Sequence, residues 1–387
     1  MTEWKTYTLK ELSKGRGEYG IGAPAVPFDK EKYTYLRITD INDDGTLNTS
    51  GMMSVDADDA EEYILEKNDI VFARTGNSTG RSYFYDGRDG ELVYAGFLIR
   101  FRLDETKVNP KILKYYTHSK PYYDWVKSFD TGGTRGNINA KTYGDMPIYL
   151  PPRHIQDRIV GILGAIDDKI ENNRRINTNL ELQAQALFDK IFFDDNDVER
   201  NPLSDYADIN PTRTLRQGVV ARYIEMANLP TRGSFPSDWS YKSYGGGCKF
   251  ANGDTIMARI TPCLENGKTA YIDFLEEQEV AFGSTEYIVI SAKNGYCPAL
   301  FYFLARNKEF VDYAVGHMNG SSGRQRVSGA DIATFPMPHI TLEESNKFAE
   351  IAMPIMDVIR NNSLENRHLT TLRDTSLPKL MNGEIKL

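Results

Sequence analysis

The 387-residue chain is poor in the residue types that most often carry chemistry. Its three cysteines, Cys248, Cys263 and Cys297, are odd in number and show no CxxC spacing, which argues against a disulfide scaffold or a zinc site and for a reducing compartment. Its five histidines, His118, His154, His317, His339 and His368, do not cluster. Apolar runs long enough to span a bilayer are missing, and Met1-Thr2-Glu3-Trp4 lacks the basic and apolar regions of a signal peptide, so the chain reads as cytoplasmic with no membrane partner. A positive excess is missing too: the net charge is −8, so any surface for nucleic acid must be local. Signatures of catalysis are absent as well. There is no HExxH or GxSxG, and Pro262 stands where a P-loop ending in Gly267-Lys268-Thr269 needs glycine. Glu265 and Lys268 are one residue too far apart for a nuclease E-x-K pair. The expectation is a chain that performs no chemistry and holds neither cofactor nor metal.

What is present is a long helical pattern after Pro151-Pro152. Ile159, Leu163, Ile166, Ile170, Asn173, Asn177, Leu180, Ala184, Leu187 and Ile191 recur at alternating steps of four and three, an apolar heptad seam broken at its centre by two asparagines. Prolines are tolerated in a first turn but not inside a helix, so the helix is expected to begin just after them. A second seam lies 189 residues further on: Phe348, Ala352, Ile355, Ile359, Asn362, Asn366, Leu369, Arg373, Ser376 and Leu380. Both asparagines recur at the same phase.

The rest of the chain repeats as well. Tyr35–Ile41 answers Tyr223–Leu229, each an alternating segment expected as a strand. Asp69–Arg74 answers Asp254–Arg259, and each leads to a glycine turn closed by a cation, Gly80-Arg81 or Gly267-Lys268. The aromatic helical segment from Pro110 to Trp125 answers that from Pro298 to Tyr313. The fold class is therefore α+β: one unit, a globular domain followed by a long helix, present twice.

Each domain closes on a polar glycine loop. The first holds Thr134, Arg135 and Asn137, the second Ser322, Arg324 and Arg326. Exposed backbone N–H groups, short hydroxyls and guanidinium groups suit phosphate oxygens and base edges. Arg74, Thr75, Arg81, Arg259 and Lys268 join them as candidate DNA-binding residues, though strand-end charges and ordinary surface turns would look the same. Tyr122, Tyr123 and Trp125 read as core rather than as a platform for stacked bases.

Connectivity makes the two helices antiparallel. With Asn173 facing Asn366 and Asn177 facing Asn362, Ile159 meets Leu380, Ile170 meets Leu369, Leu180 meets Ile359 and Ile191 meets Phe348. The polar layer marks the register. The domains are then expected at opposite ends of a long antiparallel two-helix coiled coil. A helix of about thirty residues is roughly 45 Å long, a little more than one turn of B-DNA, so the pair would act as a ruler. Pro354 should kink the second helix, which enters through Met337-Pro338 and sets Arg373 and Ser376 on its seam.

The succession Pro151-Pro152, Gln156, the IVGIL run, Asn173-Arg174-Arg175-Ile176-Asn177 and Gln185-Ala-Leu-Phe188, after TGGTRGNI, resembles the central conserved region of type I restriction-modification specificity subunits. YLRITDIN and ARTG-x-x-x-GR resemble the target-recognition domains of that family. The resemblance implies target-recognition domains over 1–150 and 196–338 and conserved helices over 151–195 and 339–387. It also implies a subunit that reads a bipartite, asymmetric site in double-stranded DNA and docks two methyltransferase subunits, with restriction subunits added for cleavage. S-adenosylmethionine, ATP and Mg are then expected on those partners, and no [DNS]PP[YFW] methyltransferase motif occurs here. The competing readings are a two-armed coiled-coil adaptor for proteins and a stand-alone DNA-binding regulator.

Overall fold

Two five-residue runs, Asp69–Ala73 and Asp254–Ala258, are buried along their whole length, and a four-stranded antiparallel sheet is built around each. They are seen in a computed structural model that describes residues 4–49, 51–130, 136–195, 197–321, 323–385 and 387. The chain divides into two compact units, one comprising Met1–Asp168 with Thr370–Leu387 and the other Lys169–Leu369.

In the first unit the order is Glu18–Tyr19, Leu98–Arg102, Asp69–Ala73, Ser82–Phe84, all antiparallel. In the second it is Ala207–Ile209, Tyr287–Ala292, Asp254–Ala258, Thr269–Tyr271, with the same pairing. A second sheet in each unit holds one parallel pair, Tyr33–Leu36 beside Leu92–Tyr94 and Val220–Ile224 beside Ala281–Gly283. The units differ at its edge. In the second, Cys248–Phe250 pairs along Ala281–Gly283, whereas in the first the matching contact shrinks to a single bridge between Ile64 and Val93.

The expected strands over 35–41 and 223–229 are shorter than the alternation suggests. They stop at Leu36 and Ile224 and give way to 3-10 turns, Ile38–Asp40 and Met226–Asn228. In the first unit the Asp40 carboxylate explains the stop: it accepts from the Arg37 N–H at 2.8 Å and from its guanidinium at 2.7 Å, a local pairing that competes with the ladder.

The repeat extends to a buried carboxylate at the head of each central strand. Asp69 accepts from the Glu66 N–H at 2.9 Å and Asp254 from the Ala251 N–H at 2.8 Å. Burial raises both carboxyls above their ordinary value, Asp69 to about 6. Their cations come from different places, Arg100 on a neighbouring strand at 3.8 Å and Arg213 in a loop at 2.5 Å. Helices that begin with proline, Pro110–Tyr116 and Pro298–Arg306, cover the sheets, as the fixed φ of proline at a first helical turn favours. Tyr122 is fully buried, while Tyr123 is exposed.

The first and last strands of each domain pair with each other: Lys5–Thr8 with Pro147–Leu150, and Arg200–Pro202 with Pro336–Pro338. The long helices leave directly from these clasps. The first spans Arg153–Phe192 and starts after Pro151-Pro152; the second spans Leu342–Met381 and is continuous through the exposed Pro354 and Pro378.

Within each unit the segments of the two helices run antiparallel. In the first, Ile155, Ile159 and Leu163 share a core with Leu377, Leu380 and Met381. Arg373 pairs with Asp167 at 3.1 Å, and Lys114 and the Tyr115 hydroxyl reach the same carboxylate at 2.7 and 3.0 Å. Burial alone would raise the Asp167 carboxyl, but Lys114 and Arg373 hold it below its ordinary value. The polar residue on the seam is thus one corner of a charged cluster.

In the second unit Asn173 donates to Asn366 at 2.9 Å and to Glu365 at 2.7 Å, and Asn362 donates to Asn177 at 2.8 Å. Leu187 still packs against the core, but at Ile191 the expected seam fails. Ile191 faces solvent, and Phe188 and Phe192 meet Phe348 instead, with ring centroids 5.8 and 5.7 Å apart. The cause is helical geometry. A helix of 3.6 residues per turn drifts about 20° per heptad against a strict 3.5 repeat, so the buried face steps by four through Ala184, Phe188 and Phe192.

Candidate nucleic-acid interface

Arg74 directly follows the buried strand Asp69–Ala73, and its backbone is held from both sides. Its N–H donates to the Phe97 carbonyl at 3.1 Å, and its carbonyl accepts from the Ile138 N–H at 3.0 Å. Three distant segments therefore meet edge to edge. The Arg74 guanidinium lies over the Tyr19 ring, 4.9 Å from its centroid, and its Nε reaches Asn137 Oδ1 at 3.4 Å. The Tyr19 hydroxyl accepts from the Ala140 N–H at 3.1 Å, which fixes the ring. Phe97 sits in the tight turn between Leu92–Tyr94 and Leu98–Arg102, where the Leu98 N–H donates to the Ala95 carbonyl at 2.8 Å. That turn leaves the phenyl ring outside, 60% exposed.

The second domain builds the same frame from other side chains. The Arg259 N–H donates to the Glu286 carbonyl at 3.0 Å, and the Arg259 carbonyl accepts from the Val327 N–H at 3.0 Å. Glu286 thus occupies the place of Phe97, and Arg326 that of Asn137. Arg326 grips the Glu286 carboxylate with two prongs, Nε at 2.8 Å and Nη2 at 2.7 Å, a planar charge-assisted geometry. Two 2.9 Å backbone bonds with Asn319 pin Arg326 in a small hairpin. The hydrogen bond from Arg326, helped by the charge of Arg259, holds the Glu286 carboxyl below its usual range. The Arg259 Nε is buried and has no hydrogen-bond partner among the described residues.

The other candidates divide. Arg81 is spent inside its own domain on Asp43 at 2.7 Å and the Ile41 carbonyl at 3.0 Å, and Lys268 on the Met226 carbonyl at 2.7 Å. Both contacts lie within their own domain. Thr75 is the extended residue before the short 3-10 turn Gly76–Ser78, and its hydroxyl does not cap that turn. Arg324 is exposed, and its carbonyl accepts from Arg326 at 3.2 Å. Thr134, Arg135 and Ser322 lie outside the described residues. Tyr19, Phe97 and Glu286 were not expected from the sequence. The signal for the last two was available: the 189-residue offset that aligns the asparagines also carries Phe97 onto Glu286.

Comparison with known proteins agrees with this layout. Residues 1–182 match the family described as the type I restriction modification DNA specificity domain. The chain is 21% identical to the type I restriction enzyme HindI specificity subunit of Haemophilus influenzae, over all of both chains. It is 23% identical to the type I restriction enzyme MjaIX specificity subunit of Methanocaldococcus jannaschii, over 71% of this chain and 69% of that one. In fold it is similar to the type I restriction-modification S subunit from M. genitalium, with TM-score 0.59, 16% identity and coverage of 98% and 96% of the two chains. The duplicated α+β domains and the paired helices accord with these likenesses, so the chain is similar in sequence and fold to specificity subunits of type I restriction-modification systems.

Proposed function

We propose that this chain is the DNA-reading subunit of a type I restriction-modification complex, each domain recognising one half of a bipartite, asymmetric site. The observation that carries the reading is the pair of nodes around Arg74 and Arg259, where one backbone frame presents different side chains. Identical frames suit one way of approaching a duplex, and different side chains suit different bases. The length of the helix pair sets the stretch of DNA left unread between the half-sites.

The long helices also offer a surface for partners. Ile176 and Leu182 on the first, and Ile351, Val358 and Leu364 on the second, are exposed apolar residues on helices whose seams are already filled. Methyltransferase subunits are the occupants that fit this family, and these residues are where they would dock. Methyl transfer with S-adenosylmethionine, and ATP- and Mg-dependent cleavage by restriction subunits, then belong to those partners. The complex would work in the cytoplasm, and no helix among the described residues is long and apolar enough to cross a membrane. The acidic net charge fits an assembly in which partners supply much of the phosphate contact.

Methylome sequencing of a host with and without the chain tests the proposal. A bipartite methylated motif should disappear with the chain; an unchanged methylome would refute it, in favour of a protein-binding adaptor.

A further inference from the structure

The two nodes differ in chemistry in a way that assigns bases to them. In the first, a phenyl ring with most of its surface in water belongs to the residue whose carbonyl accepts from the Arg74 N–H, and the Arg74 guanidinium reaches the Asn137 amide and lies over Tyr19. An exposed aromatic ring contributes almost nothing to folding, because it removes little apolar area from water. Its turn is fixed by backbone bonds, so the ring is presented at a defined place rather than left loose. In the second node the same place holds a carboxylate, locked to the guanidinium of Arg326.

We propose that Phe97 and Asn137 in the first domain, and Glu286 and Arg326 in the second, are the base-discriminating residues. The first node selects an A·T pair and the second a G·C pair, both read in the major groove. The proposal rests on the DNA-reading role above and adds to it the residues and the base class. An amide offers one donor and one acceptor, the pattern that adenine presents at N6 and N7, and an apolar ring packs against the thymine methyl. A guanidinium offers two parallel donors to guanine O6 and N7, and a carboxylate accepts from cytosine N4. Glu286 orients Arg326 before DNA arrives, as a carboxylate held in a fork must. Arg74 and Arg259, common to both nodes, serve position rather than choice.

The test uses the full chain co-expressed with its methyltransferase subunits, selecting from a randomised duplex library that is then sequenced. Phe97→Ala should reduce the preference for A·T at one position of one half-site by about five- to hundredfold and leave the other half-site intact. Glu286→Gln should weaken a G·C preference in the other half-site alone. The double exchange Phe97→Glu with Asn137→Arg should carry a G·C preference into the first half-site. Phe97 is exposed, so its variant should melt at the unaltered temperature, which separates misreading from misfolding. A Phe97→Ala complex that selects the unaltered site, or one that loses both half-sites uniformly, would overturn the assignment. An unaltered complex that selects no bipartite site would overturn the DNA-reading role beneath it.

Discussion

Asn173 donates its side-chain amide to Asn366 across the two long helices at 2.9 Å, and Asn173 is 1% exposed. A buried amide is stable only while it is paired. Asn173→Leu alone should therefore destabilise the protein by about 0.5–1.5 kcal/mol, by removing the bond to the half-buried Asn366. Asn173→Leu with Asn366→Leu should recover most of that, at the expense of a marked register. Urea midpoints of the four proteins in the cycle would measure the coupling, and additive losses would show that the pair has no joint role.

Gly45 and Gly161 should respond to alanine in opposite directions. Gly45 sits at φ +75°, and a Cβ there would lie 2.5 Å from His118 Nε2, so Gly45→Ala should cost about 1–3 kcal/mol. Gly161 lies inside the first long helix, and an added methyl there would meet nothing within 4 Å, so Gly161→Ala should stabilise by about 0.5–1 kcal/mol. Paired chemical melts would check both signs.

Acid should act with opposite sign on the buried Asp69 and the half-buried His118. Burial lifts Asp69 to about 6 from an ordinary 3.8, so the folded chain binds a proton that the unfolded chain lacks between those values. Its contribution is full below pH 3.8 and is lost as pH rises through about 6. Burial lowers His118 to about 4 from 6.5, so its contribution is present above 6.5 and is lost as pH falls towards 4. Relative to the unaltered chain, Asp69→Asn should therefore gain stability on going from acid to neutral pH, and His118→Gln on going from neutral to acid. Denaturation at roughly pH 4.5 and 7 would read the two trends, and parallel curves would contradict them.

One heptad inserted at matching positions of both long helices should lengthen the unread gap by roughly 10 Å, about three base pairs. Single-molecule mapping of methylated sites would show the new gap, and an unchanged one would mean that the helices do not act as a ruler.

How far the sequence could be read depended on what kind of signal each feature leaves. Long periodic features were readable. Two asparagines interrupting two apolar stripes at one phase mark a register, and the structure places Asn173 by Asn366 and Asn177 by Asn362. Phase at the far end was not, because drift accumulates only over several turns and turned Ile191 outward in favour of Phe192. Nor could the pattern say what each cation would meet. Arg81 and Lys268 look alike in sequence to Arg74, yet ion pairs and carbonyls decided by tertiary folding occupy both. Phe97 and Glu286 are single exposed residues in turns, where periodicity carries no information, and only the backbone bonds to Arg74 and Arg259 set them side by side.

The clasp between the opening and closing strands of each domain has an evolutionary consequence. A module whose ends are tied together next to a helix start can be exchanged for another of different surface, provided the residues that pack on the long helices, such as Lys114 and Tyr115 at Asp167, are kept. New combinations of readers then need no redesign of what carries them, and diversity can arise by shuffling whole cassettes rather than by point changes alone.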